Sequence, residues 1–136
     1  MLLDDLADLL STGGIGTVGT NLFKGTLPPE PDAAVAILGP YGGLEPVHAM
    51  AAGPGASLAE RPRVQVVARD TRYDAAMKKA QDVWLLLDGL QEKTINGVKY
   101  YSIDALQSPF YLVRDENHRE IFAANYEVVR RAATSS

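Results

Sequence analysis

The sequence predicts an α+β fold in which a mainly antiparallel or mixed sheet packs against a long helix and a short N-terminal helix. Three observations carry this. Apolar residues recur at helical spacing at the start of the chain and again over 71–90. Residues 93–129 read as successive β-hairpins. Hydrophobic residues make up 46% and charged residues 22% of the 136 positions, the balance of a chain that builds its own core. That length fits a single domain over 1–136 and is too short for two.

Each element has its own warrant. Leu2, Leu3, Leu6, Leu9 and Leu10 form one stripe, with Asp4, Asp5 and Asp8 on the other side, and Ser11-Thr12-Gly13-Gly14 stops the helix. Residues 21–24 read as a short strand before Pro28, Pro29 and Pro31 break regular structure. Ala33 to Leu38 is apolar on both faces, the pattern of a strand inside a sheet. The Gly- and Pro-rich stretch at about 40–60 reads as a long loop able to bind a partner. Val64, Val66 and Ala68 alternate with polar residues, as in a strand with one core face. Thr71 and Asp74 have the spacing of a capping box for the long helix, whose stripe runs through Tyr73, Ala76, Met77, Ala80, Val83, Trp84, Leu87 and Leu90, with Trp84 expected in the core. Asn96-Gly97 is a two-residue hairpin turn. Phe110 to Arg114 and Glu120 to Val129 form the last hairpin, and 132–136 reads as a frayed tail.

Charge and composition exclude several functions. Thirteen Lys and Arg against 17 Asp and Glu give net charge −4, a poor balance for gripping nucleic acid. The absence of cysteine removes disulfides, thiolate zinc sites and thiol catalysis. No apolar run is long enough for a membrane helix, and acids near the N-terminus, where an export signal needs bases, mark nothing for export.

The chemical motifs are weak. Gly14 to Gly19 spells G-x-G-x-x-G, but it follows a helix instead of a strand and no acid stands about twenty residues on, so a plain Gly-rich connection is expected. His48 and His118 lack metal-ligand spacing. Asp4/Asp5 and Asp115/Glu116 are read as solvated carboxylate pairs on a helix surface and a turn tip. Ser57 lacks the nucleophile-elbow pattern. No catalytic, cofactor-binding or metal residue is expected. Arg69-Asp70 admits two readings, a helix cap with a surface ion pair or a contact between subunits.

Several segments taken together resemble a known family. They are the acidic Leu-rich helix, Gly19-Thr20-Asn21-Leu22-Phe23-Lys24-Gly25, Pro31 to Leu38, Arg61-Pro62-Arg63-Val64-Gln65-Val66 with Arg69, Tyr73-Asp74-Ala75-Ala76, and Pro109 to Asn117 with Arg119 and Asn125. Over nearly its whole length the chain resembles the bacteriophage minor capsid proteins that look like tail terminators of long-tailed phages. The resemblance implies a virion protein at the tail–head junction, without cofactor or catalysis. It would form a ring, usually a hexamer, that caps the tail tube and meets a head-completion or neck protein while DNA passes through the lumen without specific binding. The alternatives are another neck protein, such as a head-closure protein, or a small-ligand binding module using the 40–60 loop. For a ring, the candidate subunit-interface residues are Phe23, Lys24, Tyr41, His48, Arg69, Arg114 and Arg119, drawn from the 21–24 edge, the 40–60 loop, a strand end and the 114–120 turn.

Overall fold

Alternating and helical patterns become seven strands and two helices in the computed structural model, which describes residues 2–48 and 57–131, with side chains outside 40–58. In chain order these are α1 (Leu2–Thr12), β1 (Leu22–Lys24), β2 (Ala34–His48), β3 (Ser57–Asp70), α2 (Tyr73–Leu87), β4 (Leu90–Ile95), β5 (Val98–Ala105), β6 (Phe110–Arg114) and β7 (Glu120–Arg131). The sheet order is β1-β2-β3-β7-β5-β4, with β6 also on β7. Only β1 and β2 run parallel, so the sheet is mixed.

β7 is the spine. One flank pairs with β3 from Asp70↔Glu120 to Ala59↔Arg131. The other flank is shared, with β6 pairing along Glu120 to Ala123 and β5 along Tyr126 to Arg130. At the Glu120 end the sheet therefore reads β1-β2-β3-β7-β6, with β1 and β6 as its two edges.

One face of the sheet carries both helices. Leu2, Leu6, Ala7 and Leu10 of α1 and Ala76, Ala80, Val83 and Leu87 of α2 bury against Val35, Ile37, Val64, Val66, Ala68, Phe122, Ala124, Tyr126 and Val128. The period-2 pattern of β3 and β7 delivers these residues to one side. The other face is a shallower cluster of Ala36, Val67 and Ala123, flanked by Phe23, Leu27, Leu38, Phe110 and Ile121.

The local stop and turn signals do what their chemistry requires. At the end of α1, Ile15 N donates to Leu10 O and Gly14 N to Ser11 O, with Gly14 at φ 85°. That is the left-handed C-terminal motif that favours glycine, so the G-x-G-x-x-G segment begins as a helix stop. Asn96 and Gly97 have φ of 50° and 80°, both positive as a type I′ hairpin turn demands.

Several expectations need correction. The main helix is 15 residues, not the 20 of 71–90, and the sheet outweighs it. It ends early because Asp88 is extended and Gly89 left-handed, which frees Leu90 to begin β4. The capping box does not form. Arg72 is the N-cap and makes no side-chain capping bond, Asp70 Oδ1 accepts from Thr71 N at 2.7 Å, and Asp74 Oδ1 accepts from Ala75 N. Trp84 is only half-buried, packed at the margin of the core.

The 40–60 loop is the largest departure. Residues up to His48 continue β2 and residues from Ser57 begin β3, while 49–56 lie outside the described residues. Glycine and proline act there as strand irregularities. The register of β2 on β3 shifts repeatedly beyond Leu38, where β1 has ended and β2 has become the edge strand.

Asp5 is a further correction. Expected on the solvated side of α1, it is 1% exposed. Its carboxylate accepts from the Tyr100 hydroxyl and from Asn96 Nδ2 at 2.8 Å, fastening α1 to the β4–β5 hairpin. Burial, then the bond to Asp5, pushes the Tyr100 hydroxyl pKa far up, so it stays a protonated donor. Tyr100→Phe leaves a buried carboxylate short of a donor and should cost about 1–3 kcal/mol in urea unfolding. An unchanged unfolding midpoint would show that α1 docks without this bond.

Candidate functional site

Besides Asp5, the buried charged residues among those described are Arg69, Arg119 and Glu120. All three lie at the Glu120 end of the sheet. Arg69 closes β3, and its guanidinium reaches across the strand order to the backbone before β2. It donates to Asp32 O at 3.1 Å and Pro31 O at 2.5 Å. Arg119, in the turn before β7, donates to Pro29 O, to Asp32 Oδ1 at 3.3 Å and to Asp115 Oδ2 at 2.7 Å. Together they hold a strap, residues 28–32, over the sheet end.

Prolines suit this strap because their carbonyls accept hydrogen bonds while, lacking an N–H, they leave no donor in need of an acceptor. The cost of two nearby cations is visible. Burial first, and the neighbouring Arg119 second, lower the Arg69 pKa, while Asp115, Asp32 and Glu30 offset part of this. Asp115 anchors the turn itself, accepting from Asn117 N and Arg119 N at 2.9 Å. Burial alone would raise its pKa, but the Arg119 and Asn117 bonds outweigh that and hold it low.

The strap forms one wall of an open groove of about 640 Å³ lined by Gly19, Thr20, Asn21, Phe23, Pro28, Glu30, Pro31 and Ala33. Its floor and walls are mostly apolar, with the exposed Glu30 carboxylate among them. It lies along the β1 edge.

The opposite edge, β6, is different. Tyr111 stacks on Tyr73 at 5.6 Å between ring centroids and meets Phe122 edge-on at 5.5 Å, tying β6 to the start of α2. Leu112 and Val113 remain about half exposed, at 45% and 47%. Arg114 donates through Nε to the buried Glu120 at 2.6 Å, yet its side chain is 61% exposed.

The sequence-predicted interface residues therefore separate into groups. Phe23 lines the groove and also packs on the second sheet face. Lys24 is on the surface and pairs with Asp4 at 2.6 Å, linking β1 to α1. Arg114 stands on the free β6 edge. Arg69 and Arg119 are buried and bonded within their own subunit, which is not the surface ion pair of one reading of Arg69-Asp70. Tyr41 and His48 lie in β2, and their side chains are outside the described residues. Sequence reasoning missed Leu112 and Val113, whose exposure a strand pattern does not reveal. It also missed Glu120, which a carboxylate at a strand start beside Arg119 could have flagged. Asp115, read as part of a solvated pair, is instead half-buried under Arg119. Among the described residues no group of His, Asp and Glu is arranged to hold a metal ion.

The Glu120 carboxyl is held below its ordinary 4.5 by the Tyr111 hydroxyl first and Arg114 next, against the opposing effect of burial. A lowered pKa means the unfolded state takes up protons first. Its stabilisation is complete above pH 4.5 and is lost as pH falls through the folded value. Glu120→Gln should accordingly melt earlier than the parent chain at neutral pH, and the gap should close on acidification. A gap independent of pH would assign the effect to packing instead.

Comparison with known proteins adds the context that this geometry lacks. No curated protein matches the chain. A chain of the solved structure titled "Virion of native gene transfer agent (GTA) particle" superposes with a TM-score of 0.60 at 14% identity, covering 93% of this chain and 84% of that one, a likeness of fold. The family described as "Bacteriophage tail terminator protein" matches residues 9–131. That match takes in most of the chain, and the chain belongs to the bacteriophage tail terminator family.

Proposed function

We propose that this protein forms a ring of identical subunits, with six as the expected number, that caps the tail tube and joins it to the head–neck. The family match over residues 9–131 carries the reading, since it makes the chain a structural protein of the phage particle. Two features of the molecule support it. At its Glu120 end the sheet has two unlike edges, a grooved one at β1 and one at β6 with exposed apolar side chains, and a closed ring needs two unlike patches that fit. The net charge of −4 also suits a lumen through which DNA slides without being held. The chain has no catalytic role in this reading. Its partners are its own copies, the tail tube protein and a head-completion or neck protein.

Reconstruction of particles that carry this chain tests the proposal. The expected result is one ring of identical copies between the last tube layer and the neck. A single copy per particle, or copies at the head shell or tail tip, would contradict it.

A further inference from the structure

We infer that the subunit joint is formed by the Leu112–Arg114 edge of one copy seated in the strap groove of the next, with Arg114 facing Glu30. The inference rests on the ring reading and specifies its contact. Three observations converge on a second copy of this chain as the occupant.

First, the two patches sit on opposite edges of the sheet at the same end, so one copy can offer its β6 edge while receiving a neighbour at β1. That is a head-to-tail arrangement, which closes into rings. Second, the chemistry matches. Leu112 and Val113 are large apolar side chains left about half exposed, and the groove presents Phe23, Pro28, Pro31 and Ala33. Arg114 ends the apolar edge, and Glu30 is the acid of the groove. Among the described residues Glu120 engages Arg114 through Nε, and a guanidinium carries further donors for a second carboxylate. Third, both patches are held in shape before they meet. Arg69 and Arg119 pin the groove wall, and the Tyr73–Tyr111–Phe122 ring cluster pins β6. Rigid partners lose less entropy on docking.

The joint works through side chains and not through strand addition. The register of β6 on β7 shifts between Tyr111 and Val113, which makes Leu112 a bulged residue. A bulge breaks the even row of edge donors and acceptors that an added strand needs, and it re-aims a side chain outward.

Because the chain has no cysteine, a Glu30→Cys, Arg114→Cys double variant reports this contact directly. On mild oxidation of assembled protein, it should crosslink into a ladder that ends at the ring number, while each single variant stays uncrosslinked. Leu112→Asp alters an exposed position, so it should leave the unfolding midpoint of the dilute chain unchanged while lowering ring yield by about tenfold or more. Rings formed at parental yield by Leu112→Asp, together with no 30–114 crosslink, would overturn this joint and leave the ring reading standing. Crosslinks in either single variant would also overturn it, since they would mean like patches meeting. A parental chain found as one copy per particle would overturn ring and joint together.

Discussion

Arg69 and Arg119 sit near one another beneath a strap of proline-rich backbone, and the end of the molecule that carries both free edges depends on what they bond. Two buried cations in one place are tolerated only when carbonyls and carboxylates surround them. Pro29, Pro31 and Asp32 supply the carbonyls, and Asp32 and Asp115 the carboxylates. Because Arg69 ends β3 and Arg119 precedes β7, the strap is tied to the two strands at the centre of the sheet. The groove beside β1 thus inherits the rigidity of the sheet core.

The same end of the sheet explains why one short strand can matter so much. β7 is long enough to carry β5 on one half of a flank and β6 on the other, so β6 is an edge with no further strand beside it. Its apolar side chains are not all absorbed by the fold. Phe110 packs on one face and Tyr111, itself partly exposed, meets Phe122 on the other, whereas the bulge turns Leu112 out of register. Glu120, bonded by Tyr111 and Arg114, joins this edge to the turn held by Arg119. The Arg114–Glu120 pair at one sheet edge and the Arg119–Asp115–Asp32 set at the strap are thus neighbours along the chain, joined where Arg119 precedes Glu120.

Much of this architecture was legible from residue order. The Leu stripe gave α1, the alternation at Val64, Val66 and Ala68 gave the core face of β3, and Asn96-Gly97 placed the β4–β5 turn to the residue. Three things were not legible, for physical reasons. Asp5 sits one position from the Leu stripe of α1, and only the arrival of Tyr100, 95 residues later, makes its burial favourable. Glycine and proline at 39–46 signal a loop in local terms, but a long partner strand absorbs them as bulges. Arg69 and Arg119 look like surface charges in a linear reading. Asp115 apart, the acceptors that bury them lie on the 28–32 strap, 37 to 90 residues away, which no local pattern encodes.

The arginine pair acts within one subunit, shaping the groove before any neighbour arrives. Unfolding of the Arg69→Lys variant, followed at concentrations where the chain is dilute and unassembled, tests this most directly. A lysine cannot span two carbonyls with one planar fork, so the account predicts a loss of about 1.5–3 kcal/mol in the isolated subunit. An isolated subunit as stable as the parent, with the defect emerging only on assembly, would place Arg69 in the joint and contradict the account.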